Sequence, residues 1–127
     1  VSLFTIKNWL RKNKTHANHV MNKNQRYIFF EIQESASIKP PVGAFGKNLK
    51  PDFSVAVDNE IYPLGIPFLM EYLEYGRIKP VISLDTGSAI KGYNRADLFT
   101  GRGVLAERIA GNMKKKIYLH NLIPYSK

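Results

Sequence analysis

The sequence predicts a mainly β domain of the sandwich or barrel type, preceded by a short helix. From Tyr27 onward, short apolar or alternating runs are separated by turns rich in Gly and Pro, which is the pattern of an all-β domain. The chain has 127 residues, enough for one hydrophobic core. It contains no cysteine, which excludes a disulfide scaffold, a thiolate zinc site and a cysteine nucleophile.

The first predicted element is an amphipathic helix over residues 2–10. Apolar side chains recur every three or four positions from Leu3 to Leu10, and Ser2 precedes them as an N-cap. The stretch 11–26 is rich in Lys and Asn and predicts a solvated, helical or turning connection. We therefore separate a helical lead-in segment, 1–26, from a β domain, 27–127.

The β domain is expected to contain five recognisable strands and one late helix. The helix is predicted over Leu105–Met113, because Leu105, Ile109 and Met113 share one face. Loops rich in Gly and Pro are predicted at 40–46, 62–67 and 87–92. The predicted strands are Tyr27–Ile32, Ser54–Val57, Pro67–Tyr72, Pro80–Leu84 and Lys116–Leu119.

The charge balance indicates a polyanionic partner. Nineteen Lys and Arg stand against ten Asp and Glu, a net charge of +9. Nucleic acid, an anionic polysaccharide, a cell-wall polymer and a lipid surface all fit such an excess. No stretch of the roughly 20 apolar residues that a membrane span needs is present. Val1 opens the chain inside a predicted helix, and we expect a processed product or a fragment.

Two common kinds of site are disfavoured by spacing. His16 and His19 lie three residues apart, but no carboxylate or further His follows at the spacing of a metal site. Gly101-Arg102-Gly103 lacks the third glycine and the lysine of a phosphate-binding loop. We expect neither a metal nor an organic cofactor.

Three of the scarce acidic residues lie beside apolar residues: Asp58 and Asp85 each close an apolar run, and Asp97 lies between Ala96 and Leu98. A carboxyl at the rim of a core is partly desolvated, which raises its pKa and suits it to donate a proton. The alternative is that such a carboxyl caps a turn by accepting backbone N–H bonds, which lowers its pKa. Asp85-Thr86-Gly87 also matches the signature of an aspartic protease, although its place late in the chain is unfavourable for that fold.

The block Leu84-Asp85-Thr86-Gly87-Ser88-Ala89-Ile90-Lys91-Gly92, followed by Arg95-Ala96-Asp97-Leu98-Phe99, resembles the core of the three-aspartate, or 3D, domain. More specifically, it resembles the C-terminal part of the membrane-bound lytic murein transglycosylase A family. Matches extend to Gly43-Ala44-Phe45-Gly46, Ser54 to Asp58 and Tyr62 to Gly65. Ser88 departs from the family pattern, which usually has a second glycine there.

The resemblance implies a six-stranded double-psi β-barrel with a short N-terminal helix and one late helix. It also implies an enzyme that cleaves the β-1,4 bond between N-acetylmuramic acid and N-acetylglucosamine in peptidoglycan, leaving a 1,6-anhydro ring. Asp97 would be the acid and base of that reaction, and Asp85 its near neighbour, orienting the sugar or raising the pKa of Asp97 by like-charge repulsion. The substrate-binding residues would be Asp58, Thr86, Gly87, Ser88, Lys91 and Arg95, with Asp58 either binding substrate or ordering the barrel.

The resemblance also carries expectations about partners and place. The partners would be peptidoglycan glycan strands and the larger N-terminal groove domain of the family, to which nothing in this chain corresponds. The compartment would be the periplasm, with the parent protein tethered to the outer membrane by a lipid. The main alternative is a barrel that binds peptidoglycan without cleaving it. A basic nucleic-acid-binding domain rests on charge alone, since no aromatic residues are interleaved with Lys and Arg in a recognisable module.

Overall fold

The computed structural model describes residues 3–25, 29 and 39–125. Its contacts divide the chain into two compact units, 1–35 and 36–127. The first contains helix α1, Leu3–Lys12, and helix α2, Lys14–Met21. Asn13 ends α1, because its backbone leaves the helical region at φ −117° and ψ 53°, while its side-chain amide donates to the Trp9 carbonyl. The predicted first helix is thus confirmed, with its end at Lys12 rather than Leu10, and the solvated connection contains α2.

The second unit is a mainly β fold, a curled half-barrel sheet of five strands. The sheet order is β4-β1-β3-β2-β5. The central pair, β1 and β3, is parallel, and the other three pairs are antiparallel. The strands are β1 Ser54–Val57, β2 Pro67–Tyr72, β3 Arg77–Thr86, β4 Ala96–Leu98 and β5 Ile117–Asn121, and helix α3, Gly103–Asn112, lies between β4 and β5.

The core of this unit lies on one face of the sheet. Val55 and Val57 alternate with Ala56 along β1, so the two valines are buried while Ala56 faces the other side. Phe68 is fully buried and meets the Tyr62 ring edge-to-face, with 5.3 Å between the ring centroids. The buried cluster consists of Val55, Val57, Tyr62, Phe68, Met70, Val81 and Leu119.

Several predicted elements are confirmed with changed limits. Strands β1 and β2 match the prediction residue for residue, whereas β3 begins three residues before Pro80. It does so because its first residues form a hairpin with β2, Tyr72 pairing with Arg77. Pro80 is tolerated there because β1 joins β3 only from Ile82 onward, which leaves that edge of Pro80 without a strand partner.

Strand β4 is an element that the sequence did not predict. It has three residues, too few for an alternating pattern to be recognised, and it forms because the backbone of β1 lies beside it. Helix α3 begins two residues earlier than predicted and ends at Asn112, since Met113 is already extended. The predicted strand Tyr27–Ile32 lies outside the described residues, apart from Phe29. Of the helices described here, none has the length and apolar character to cross a membrane.

Candidate active site

Two of the three singled-out aspartates lie in one row across the sheet. Ala56 of β1 pairs with Asp85 of β3 on one side and with Asp97 of β4 on the other. The register of β1 against β3 shifts between Val55 and Ala56, so Asp85 pairs with Ala56 although Ser83, two residues earlier, is buried. Paired residues share a face, and both carboxylates therefore lie on the face opposite the buried valines. Neighbouring strands are about 4.8 Å apart, which puts the two aspartate Cα atoms about 10 Å from each other. Ala56, whose side chain is a methyl group, lies between them in the row.

Asp85 is half-buried and is held by a loop. Its Oδ1 accepts a hydrogen bond of 3.0 Å from the backbone N–H of Ala44. The next amide, that of Phe45, donates to the Leu84 carbonyl at 3.1 Å. Gly43 lies so close to β3 that a Cβ there would collide with the same carbonyl. The loop 43–46 therefore needs glycine at its first position and forms a wall beside Asp85.

Asp97 is the exposed member of the row. Its side chain is 54% accessible and has one partner in the described chain, Arg95. The Nε and Nη2 atoms of Arg95 both reach Oδ1 at 3.1 Å. The described residues give the second oxygen, Oδ2, no hydrogen-bond partner, so it is open to a ligand. Both residues also line a cavity of about 490 Å³ that Lys114 and Lys115 share.

Asp58 lies in a different environment, buried beneath the loop that leads into β4. Its Oδ2 accepts from the backbone N–H of Gly92 at 2.9 Å, and its Oδ1 accepts from the Lys91 ammonium and the Glu60 N–H. The Gly92 hydrogen bond, aided by Lys91 and Glu60, lowers the pKa of Asp58 below the ordinary value of 3.8, against the opposing effect of desolvation. Asp58 thus behaves as the turn-capping alternative describes.

Lys91 links Asp58 to the surface. Its ammonium contacts Glu60 at 2.7 Å and Asp58 at 3.1 Å, and these two bonds raise the pKa of Lys91 above its ordinary value. About half of its side chain is exposed. Since Lys91 precedes Gly92, the buried carboxylate fixes the start of the segment that carries Arg95 and Asp97.

The remaining predicted residues lie at the carboxyl end of β3. The Thr86 hydroxyl lies 2.9 Å from the Val57 carbonyl, to which it donates, so it ties β3 to the end of β1. Gly87 accepts from the Ile90 N–H and begins the turn in which Ser88 is exposed. The structure therefore brings Asp85, Thr86, Gly87 and Ser88 together.

Two site residues escaped the sequence reasoning. Ala56 has no chemistry of its own, but its small side chain leaves room between Asp85 and Asp97. Ala44 acts through its backbone N–H, a group that every residue except proline has, so its role cannot be inferred from the residue type. The only available signal was Gly43-Ala44-Phe45-Gly46, a loop already singled out by its glycines. In the described parts of the chain, no cluster of three or more His, Asp or Glu could hold a metal ion.

This arrangement can be compared with known proteins. The sequence profile of the 3D domain family matches residues 53–123, which includes all three aspartates. The chain belongs to the 3D domain family. That match covers the five strands and α3, so the 3D domain of this chain is the half-barrel that carries the row of Asp97, Ala56 and Asp85.

Relatives of the same kind are known from sequence and structure. The chain is 33% identical, over 124 residues, to a membrane-bound lytic murein transglycosylase A of Vibrio cholerae, covering 90% of this chain and 33% of that protein. A membrane-bound lytic murein transglycosylase from Agrobacterium tumefaciens shares 32% identity and superposes with a TM-score of 0.79, covering 98% of this chain and 35% of that one. E. coli MltA with bound chitohexaose shares 25% identity with a TM-score of 0.75, over 97% and 40% of the two chains. This chain spans about a third of the length of these relatives.

Proposed function

We propose that this chain is the catalytic barrel of a lytic transglycosylase, which cleaves the β-1,4 bond between N-acetylmuramic acid and N-acetylglucosamine and forms 1,6-anhydro-N-acetylmuramic acid. The observation that carries the proposal is the row of Asp97, Ala56 and Asp85, with one oxygen of Asp97 open to a ligand. The names of the relatives and the chitohexaose bound to E. coli MltA support a glycan of this type as substrate.

Asp97 is the proposed acid and base. It donates a proton to the bridging O4 as the bond from C1 to O4 breaks, and the resulting carboxylate is stabilised by Arg95. The C6 hydroxyl of the muramic acid then closes on C1 and returns its proton to Asp97. Because the substrate supplies its own nucleophile, one carboxyl suffices where an ordinary glycosidase uses two.

Asp85 orients the substrate in this proposal. One of its oxygens is occupied by the Ala44 N–H, which fixes the carboxylate so that it accepts a sugar hydroxyl or amide in a defined direction. Thr86, Gly87 and Ser88 line the same end of the site. Arg95, with Lys114 and Lys115 in the adjoining cavity, provides cations for the carboxylates of the peptide stems.

Lys91 and Asp58 position the site rather than touch the glycan. Asp58 is 3% exposed and fully engaged, so it orders the loop that enters β4. The closed six-stranded double-psi β-barrel is part of the same proposal. In the described part of the chain β4 and β5 are the edges of the sheet, and one further strand between them would close the barrel.

The second candidate function is a barrel that binds peptidoglycan without cleaving it. It is considered because this chain corresponds to only a third of its relatives. A chain that spans a third of its relatives forms only part of the substrate groove, and the proposed partner is the larger N-terminal domain. The proposed location is the periplasmic side of the cell envelope, with the parent protein lipid-anchored to the outer membrane.

The test is product analysis with purified peptidoglycan. The protein and its Asp97→Asn variant are incubated with sacculi, and the released muropeptides are analysed by mass spectrometry. Anhydro products from the wild type, reduced about 10²- to 10⁴-fold in the variant, are expected for loss of the general acid. Hydrated ends would instead indicate a hydrolase that uses Asp85 as second carboxylate. Sacculus binding without release would favour the binding module.

A further inference from the structure

Phe45 stands beside the aspartate row as an exposed aromatic ring in a fixed position. Its side chain is 44% accessible, although the residue belongs to a compact loop. Within that loop, Gly43 donates to the Lys47 carbonyl and Gly46 donates to the Gly43 carbonyl, each at 2.9 Å. The Phe45 N–H is bonded to β3 at Leu84. These three backbone hydrogen bonds fix the part of the chain that carries the ring.

The ring rests on a second loop that has a glycine at the contact. A Cβ at Gly65 would lie 2.5 Å from the tip of the Phe45 ring, closer than real Cβ contacts come. Gly65 also has a φ of +86°, a conformation that other residues rarely adopt. Its N–H donates to the Ser83 carbonyl at 2.6 Å. The Phe45 ring can therefore pack against Gly65 only because that residue has no side chain.

The position of the ring extends the aspartate row. Gly65 continues the β2 side of β3, whereas β1 and β4 lie on the other side. The order across the sheet is consequently Asp97, Ala56, Asp85 and then Phe45. The ring also belongs to the loop whose Ala44 amide holds Asp85.

We propose that Phe45 is a sugar-stacking residue, whose ring binds the apolar C–H face of a pyranose at a subsite beyond Asp85, on the side away from Asp97. The inference rests on the proposed function, since it assumes a glycan across this face. An aromatic ring already held in place binds a flat apolar surface with little loss of conformational entropy. The glycan strand accordingly runs across the strands of the sheet, from Asp97 towards Phe45.

The test measures chitohexaose binding by titration calorimetry for the wild type, Phe45→Leu and Phe45→Tyr. Leucine keeps an apolar contact with Gly65 but lacks a flat ring, and tyrosine retains the ring. We expect Phe45→Leu to weaken binding about five- to tenfold, the size of one aromatic contact, and Phe45→Tyr to stay within about twofold of the wild type. With sacculi, KM should rise for Phe45→Leu while kcat stays near the wild-type value.

A matched control is Tyr118→Ala, which removes a 48% exposed aromatic side chain from β5 and should leave binding unchanged. Wild-type affinity in Phe45→Leu would overturn the inference, as would an equal loss in Tyr118→Ala. Failure of the wild type to bind chitohexaose would overturn it too, whereas anhydro products from sacculi would still support the proposed function. Binding that depends on Phe45 without anhydro products would sustain the subsite and reject the transglycosylase.

Discussion

The Ser83 hydroxyl is a sharp test of how the wall of the candidate site is held. Ser83 is fully buried on β3, two residues before Asp85. Its oxygen accepts from the Ile66 N–H at 3.1 Å and lies 3.0 Å from the Pro63 carbonyl, to which it donates. The variant Ser83→Ala removes these two bonds, and a longer one of 3.2 Å from the hydroxyl to the Ile66 carbonyl, while changing little in shape.

The structure gives the expected size of the effect. The Ile66 N–H has no other acceptor in the described chain, and leaving one such group unsatisfied costs about 1–3 kcal/mol. The Pro63 carbonyl belongs to an exposed residue and can turn to water. We therefore expect Ser83→Ala to lower the free energy of unfolding by about 2 kcal/mol. For a unit of this size that is a fall in Tm of about 8–16 °C, measured by circular dichroism.

Ser54→Ala is the matched control, because Ser54 is equally buried but accepts from one amide, that of Lys50 at 2.8 Å. Lys50 is exposed, so water can replace the hydroxyl and the expected loss is below about 1 kcal/mol. A loss in Ser83→Ala no larger than that of Ser54→Ala would refute the reasoning, since it would mean that the Ile66 amide finds another partner.

The other predictions concern charge and packing. Asp58 has a lowered pKa in the folded protein, so its contribution to stability is present above the unfolded pKa of 3.8 and is lost as the pH falls through the lower folded value. Asp58→Asn should therefore melt below the wild type at pH 7, and the gap in Tm should narrow towards about pH 3; a gap that is constant with pH would contradict the ionic role. Phe68 is fully buried in the core, so Phe68→Ala should cost about 3–5 kcal/mol in urea unfolding, and a loss under 1 kcal/mol would show that the core collapses around the cavity.

The central strands could be predicted because their signal is local. Ser54–Val57 and Pro67–Tyr72 combine β-branched or aromatic side chains with flanking turn residues, and the structure has the same limits. The late helix was also found from its own periodicity, with errors of one or two residues at its ends. Strand β4 could not be found in this way, because three residues carry no period and only the backbone of β1 makes them a strand.

The candidate site, like the fold, has parts that could be predicted from local sequence and parts that could not. Asp58 and Asp85 stood out because each closes an apolar run, and Asp97 because it lies between Ala96 and Leu98, yet the sequence could not distinguish their environments. The Gly92 N–H lowers the pKa of the buried Asp58 against the opposing effect of desolvation, whereas Asp97 stays exposed beside Arg95. These differences arise from residues that are more than thirty positions away from Asp58, or from backbone groups that any residue type would supply.

The class of fold, the three aspartates and the 3D resemblance could be predicted from the sequence, because they depend on local patterns and on short motifs. The tertiary structure decided which two aspartates share a face and which one is an internal anchor. It also decided that the loop 43–46 reaches Asp85, across 41 positions of the chain. Pairing of β1 with both β3 and β4 brings these residues together, and such pairing depends on long-range backbone hydrogen bonds that local sequence does not encode.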